Sequence, residues 1–230
     1  MQPDSLAVAQ QNLLDQEPVQ KTLSIWELIN SGGIGGQIII ATLAILLFAA
    51  LYLYFERIMA INAASKIDSS FMNNIKMNIM GGKLDAAKML CAQTNSPVAR
   101  LIEKGISRIG KPLEDINTAI ENAGKLEIYK LEKNVSVLAT IAGAAPMIGF
   151  LGTVIGMILA FHEMANGGGQ IEVKALAGGI QTAMTTTVAG LVVGIIAYMG
   201  YNHVVVKTDK VVHQMEANAT DFLDLLNEPS

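Results

Sequence analysis

Polar and apolar positions alternate along this chain on two length scales. On the longer one, three stretches hold no Lys, Arg, Asp or Glu: Leu28 to Phe55, Asn134 to His162 and Ala175 to Val206. A helix rises 1.5 Å per residue and a hydrocarbon core is about 30 Å thick, so roughly 20 apolar residues cross it. Each stretch exceeds that. A soluble helix of such length needs a polar face toward water, and none of the three carries a charge. The pattern predicts an all-α membrane protein with three transmembrane helices. The first stretch opens on a Gly-rich run, Ser31 to Gly36, which moves its spanning part to 37–57. The other two spans fall at 134–162 and 176–206, joined by a short loop at 163–175 in which Gly167, Gly168 and Gly169 read as a flexible turn.

On the shorter scale, apolar residues recur at helical spacing through the hydrophilic segment 58–133, as in Val98, Leu101, Ile102, Gly105, Ile106 and Ile109. Gly81-Gly82, Ser96-Pro97 and Gly110-Lys111-Pro112 mark breaks between these helices. No Pro or Gly pair follows Gly124, so the second span is expected to run as one continuous helix into the hydrophilic region. The tail 207–230 is amphipathic from Val211 to Leu226 and prolongs the third span. The segment 1–36 contains Trp26 beside Leu28 and Ile29, a composition suited to the headgroup layer just before a span.

Composition sharpens this picture. Charged residues make up 16% of the 230 and apolar ones 51%, against about 25% charged in an ordinary globular domain. Twelve of the sixteen Lys and Arg residues lie between Glu56 and Lys133. The positive-inside bias therefore places that segment and the tail in the cytoplasm, with the amino terminus and the short loop outside. The expected location is a membrane bordering the cytoplasm. No concentrated basic face points to nucleic acid. Cys91 is the single cysteine, so no intramolecular disulfide can form, and it reads as a small buried apolar side chain.

Small residues in the second span form one stripe: Ala142, Pro146, Gly149, Thr153, Gly156 and Ala160. Ala183, Thr187, Gly190, Gly194 and Ala197 do the same in the third. GxxxG spacing joins Gly152 to Gly156 and Gly190 to Gly194. In lipid, small residues mark faces where helix backbones approach closely. One reading is that the stripes pack the two helices together, through Pro146, Gly149, Gly152, Gly156, Gly190 and Gly194. The other is that part of this surface lines an axial cavity, with Thr153, Thr185, Thr186 and Thr187 as its polar groups. No carboxylate or cation lies inside the three charge-free stretches, although ionisable groups are what mark proton and ion paths through membranes. Any titrating acid must come from another polypeptide. His162 and His203 stand at span ends and His213 in the tail, where they read as interfacial or solvated.

The run Ala145-Pro146-Met147-Ile148-Gly149-Phe150-Leu151-Gly152-Thr153-Val154-Ile155-Gly156-Met157 resembles the signature of the MotA/TolQ/ExbB proton-channel family, and so does the run from Gly178 to Leu191, GGIQTAMTTTVAGL. SPVARLIEKGI, from Ser96 to Ile106, is similar to the same family. Three spans with a hydrophilic segment between the first two resemble ExbB or TolQ, ExbB most of all, more than the longer four-span MotA type. The resemblance implies a pentameric ring enclosing two single spans of an ExbD- or TolR-like partner, whose intramembrane Asp would supply the missing acid. It implies that Thr153 and Thr187 line the proton path, with Thr186 and Thr182 beside them. Membrane lipids and a TonB-like protein complete the implied partners, the ring coupling the proton motive force to outer-membrane transport. Many relatives carry a Glu early in the third span in a GIxEAL pattern; here that position is Thr182, which leaves the glutamate's role unassigned.

Two other classes of function stand beside this one. A TolQ-like envelope motor, or a non-conducting oligomeric scaffold, would use the same stripes. A membrane-embedded enzyme finds no support: there is no HExxH, GxSxG, intramembrane Asp pair or phosphate-cradling loop. No cofactor and no metal is expected.

Overall fold

The computed structural model describes residues 33–68, 70–166 and 173–227. All of the regular structure in them is helical. α1 runs over Gly33–Ala64, α2 over Phe71–Met80, α3 over Leu84–Gln93, α4 over Pro97–Ile106, α5 over Leu113–Leu131, α6 over Val135–Asn166 and α7 over Val173–Asn227. Trp26 and the Gly167–Gly169 turn lie outside the described residues.

Three helical regions, in α1, α6 and α7, are long and apolar enough to cross a membrane. They pack side by side, and the contact between α6 and α7 is the most extensive in the molecule. In α1 the inward seam is Ile39, Leu43, Ala50, Arg57 and Ile61, at steps of four and seven. Ile38, Ile45, Phe48, Tyr52 and Phe55 point outward and are exposed. A surface of large apolar side chains would be costly in water and is favourable in hydrocarbon, where lipid is the solvent.

α7, at 55 residues, is roughly 80 Å long at 1.5 Å per residue. Its buried positions Thr186, Gly190, Val193, Ala197, Val204, Thr208, Val211, Met215 and Phe222 recur at three, four and seven. A single seam thus runs from the membrane part into the hydrophilic end. There, α7 closes a bundle with α2 to α5. α4 is its centre, starting at the Ser96-Pro97 break: Pro97 suits the first helical turn, and the Ser96 hydroxyl accepts a hydrogen bond from the Ala99 N–H at 3.1 Å. Gly105 on α4 lets the Phe222 ring approach, since a methyl there would stand 2.5 Å from Phe222 Cε1. Gly82 (φ 68°) and Gly110 (φ 96°) supply the left-handed turns at the other two breaks.

One expectation fails locally. The second span is not continuous with the helix below it, because residues 132–134 interrupt the path between α5 and α6. Asn134 adopts φ 63°, a left-handed conformation that asparagine tolerates better than most residues. Helical spacing cannot reveal such a break, because one asparagine between Leu131 and Val135 leaves the apolar periodicity intact. The interruption releases carbonyls at the end of α5. Arg57 of α1 fills one of them, donating from Nη1 to the Lys130 carbonyl at 3.2 Å.

Candidate functional site

The small-residue stripes meet along the antiparallel α6–α7 contact. From the loop end downward, Gly179 lies against Ala160, Gly156 against Ala183, Gly152 against Thr186, Gly149 against Gly190 and Thr187, and Pro146 against Gly194. At the centre, a methyl built on Gly190 would sit 2.6 Å from the Ala145 carbonyl oxygen, so only glycine permits this approach. Pro146 sits within α6 and its ring packs on Gly194, where a methyl would lie 2.6 Å from Pro146 Cγ.

The threonines divide between three surroundings. Thr186 is 0% exposed, wedged against Gly152, and its hydroxyl donates to the Ala183 carbonyl at 2.8 Å. Thr182 is 8% exposed and faces α1, where a methyl on Gly36 would meet its Cγ2 at 2.8 Å; its hydroxyl donates to the Gly178 carbonyl at 3.0 Å. Within one subunit, neither offers a free surface to a cavity. Thr153 and Thr187 are half-buried. Thr153 donates to the Phe150 carbonyl at 2.6 Å. Thr187 donates across the helix pair to the Gly149 carbonyl at 3.2 Å. Gly149 and Thr153 are four residues apart, so the two hydroxyls lie within about one helical turn, ~5.4 Å, of each other in depth. Thr185 donates to the Gln181 carbonyl at 2.9 Å, and both line an apolar groove of about 990 Å³ between α1 and α7.

Sequence reasoning missed two polar features at the hydrophilic end of the spans. Arg57 is 6% exposed and pairs with Glu56 as well as the Lys130 carbonyl. Beside it, Glu127 of α5, 5% exposed, accepts from Arg100 and Lys130, each at 2.7 Å. Burial pushes the Glu127 carboxyl up, but the hydrogen bonds and charges of Arg100 and Lys130 outweigh it and hold it below its ordinary value. The second feature is His203, read from sequence as interfacial or solvated, which meets the Tyr54 hydroxyl through Nδ1 at 2.8 Å while remaining exposed. The spacing of Glu127 and Lys130, three apart, was the only sequence signal for the first. Nothing in the sequence links positions 54 and 203.

The profile of the MotA/TolQ/ExbB proton channel family matches residues 93–217, more than half of the chain and all of the α6–α7 contact just described. The chain belongs to that family. Among similar proteins are a putative biopolymer transport protein ExbB homolog of Methanothermobacter thermautotrophicus, 29% identical over 59% of this chain and 47% of its own length, and the Tol-Pal system protein TolQ of Pseudomonas aeruginosa, 25% identical over 89% of this chain and 93% of its own. The biopolymer transport protein ExbB of Helicobacter pylori is 37% identical over 34% of this chain and 54% of its own length. The alignments thus span about half of the two ExbB-type proteins and nearly all of the TolQ protein. In this member of a proton-channel family, the three charge-free apolar stretches contain no carboxylate.

Proposed function

We propose that this chain is the ring subunit of a proton-driven motor in a bacterial inner membrane, and that it works with a single-span, ExbD- or TolR-like partner carrying an intramembrane Asp. The observation that carries this reading is the absence of any acid from Leu28 to Phe55, Asn134 to His162 and Ala175 to Val206 in a proton-channel family member. Proton transfer through a membrane needs a group that titrates there, so that group belongs to another polypeptide. In this reading the subunits form a pentamer around two copies of the partner span, with the amino terminus periplasmic and the α2–α5 bundle and the carboxyl terminus cytoplasmic.

Thr153 and Thr187 suit the wall facing such an Asp. Each hydroxyl is donated to a backbone carbonyl at rest, leaving oxygen lone pairs to accept from a protonated acid. When the acid ionises, the hydroxyl turns about χ1 and donates to the carboxylate instead. The bond it gives up is worth about 1 kcal/mol net, so the exchange is shallow and reversible. Moving one charge through 100 mV supplies about 2.3 kcal/mol, enough to bias alternate protonation of two partner acids and so turn the inner pair against the ring. The work would pass to a TonB-like protein serving outer-membrane transport.

Proton uptake into vesicles holding the purified ring, with and without the partner, tests this. Uptake only with the partner, and its loss when the partner's Asp becomes Asn, is the expected result. Uptake by the ring alone overturns it. The near full-length alignment with TolQ favours a second version, an envelope motor of the TolQ type; co-purification of a TolR-like rather than an ExbD-like partner would select it.

A further inference from the structure

A cleft of about 700 Å³ lies at the interruption between α5 and α6, walled by Glu132 and Lys133 before the break, Ser136 after it, and Tyr201, Thr208 and Asp209 on α7. Its charge is acidic on balance. Two carboxylates, Glu132 and Asp209, stand against one amine, Lys133; all three are exposed, and none has an ion-pair partner among the described residues. Lys130, one turn back on α5, does not offset them, because it is bonded to Glu127 at 2.7 Å. Thr208 is 3% exposed, and its hydroxyl has no hydrogen-bond partner. Thr182, Thr185 and Thr186, higher on the same helix, each donate to a carbonyl three or four residues back, the bond a helical threonine can always make for itself. A buried hydroxyl left without it marks a place for a polar group from elsewhere.

The cleft has a fixed relation to Thr153 and Thr187. Val205, on its α7 wall, is eighteen residues from Thr187, about five turns and ~27 Å along the helix, so the two share one side of α7. Ala139, on its α6 wall, is fourteen residues from Thr153, about four turns and ~21 Å, again on one side. A span running beside both threonines therefore reaches the cleft as it leaves the bilayer. In the orientation proposed above this is the cytoplasmic margin, and a single-span protein gathers its Lys and Arg in the flank that stays in the cytoplasm. We propose that the cleft is the docking site for that basic flank of the single-span partner. Its ammonium or guanidinium groups pair with Glu132 and Asp209 and lie against the Tyr129 and Tyr201 rings, which also line the cleft. The polar backbone of the segment supplies the bond that Thr208 lacks. Anionic lipid headgroups, the other abundant ligand at this margin, carry the wrong sign for two free carboxylates. The identity of the occupant rests on the motor reading; the cleft and its charge do not.

Fluorescein-labelled hexalysine is the probe, and the full-length ring in detergent, bare or with its co-expressed partner, is the target. The bare ring should bind hexalysine, and Glu132→Gln combined with Asp209→Asn should weaken that binding about tenfold. Both side chains are exposed, so the neutral isosteres leave the fold intact. Glu114→Gln combined with Asp115→Asn removes the same charge from the first turn of α5, at its far end, and should leave binding unchanged. Equal weakening by the two pairs would reduce the effect to net charge and overturn the site. The partner-loaded ring should bind hexalysine far more weakly than the bare ring, because the flank occupies the cleft; equal binding overturns the docking. A Glu132→Gln, Asp209→Asn ring that lost phosphatidylglycerol vesicles instead of hexalysine would assign the cleft to lipid and overturn it as well. Partner-dependent proton uptake separates the two readings. Uptake by a ring whose cleft stays open to hexalysine removes the docking alone, whereas no uptake with the partner removes the motor, and the hexalysine titrations then still decide whether the cleft takes a cation.

Discussion

Gly149 and Gly190 meet at the point where α6 and α7 come closest: a methyl on Gly190 would stand 2.8 Å from Gly149 Cα, and one on Gly149 would stand 2.8 Å from the Thr186 carbonyl oxygen. Both obstacles are backbone, which cannot move aside without parting the helices.

Gly190→Ala and Gly149→Ala are therefore expected to destabilise the subunit by roughly 1–3 kcal/mol, the usual cost of overpacking a tight contact. Gly143 is the control, with nothing within 4 Å of the place its methyl would occupy. Gly143→Ala should be neutral or stabilising by up to about 1 kcal/mol through helix propensity. Thermal unfolding in detergent separates the three, and equal midpoints would show that the close approach is not what holds α6 to α7.

Valine substitutions separate the threonines by role. Thr153→Val and Thr187→Val keep the shape and remove the hydroxyl, and are expected to lower partner-dependent proton flux about tenfold, equivalent to ~1.4 kcal/mol, while leaving assembly intact. Thr186→Val should leave flux unchanged, since its hydroxyl is enclosed between the helices. Flux that falls only in Thr186→Val would reverse the assignment.

Glu127 links stability to pH with a definite sign. Its native carboxyl value lies below the ordinary 4.5, so its ion pairs contribute fully above that pH and are lost as pH falls through the lowered native value. Glu127→Gln should cost roughly 1–3 kcal/mol at neutral pH, less than a fully buried pair, because Arg100 and Lys130 reach solvent. The gap in unfolding midpoint between wild type and variant should narrow as the buffer is acidified from neutral pH through the lowered native value. A constant gap would mean that the cost is steric.

At the α5–α6 break, Asn134→Gly should be tolerated and Asn134→Val should destabilise by about 1–2 kcal/mol, since a β-branched residue resists positive φ. A harmless valine would mean that the break opens into continuous helix when demanded. Circular dichroism would then record extra helix.

The three spans were legible in the sequence because a helix in hydrocarbon can expose neither charge nor unpaired backbone, and a charge-free stretch longer than 20 residues leaves few alternatives. The Gly and Pro breaks between α2, α3, α4 and α5 were legible for a local reason, the dihedral angles those residues allow or forbid. The family too could be read from contiguous runs such as Ala145 to Met157. The surroundings of the threonines could not. Thr186 and Thr187 are adjacent, about 100° apart around the helix, so one must turn toward α6 and the other away from its centre. Periodicity says that they differ but not which is which. That choice belongs to the crossing of α6 on α7, as the enclosure of Thr182 belongs to the approach of Gly36 and the Tyr54–His203 bond to residues 149 positions apart. Span, break and family are properties of neighbours along the chain; exposure and partnership are properties of neighbours in space, and only the packed helices bring those together.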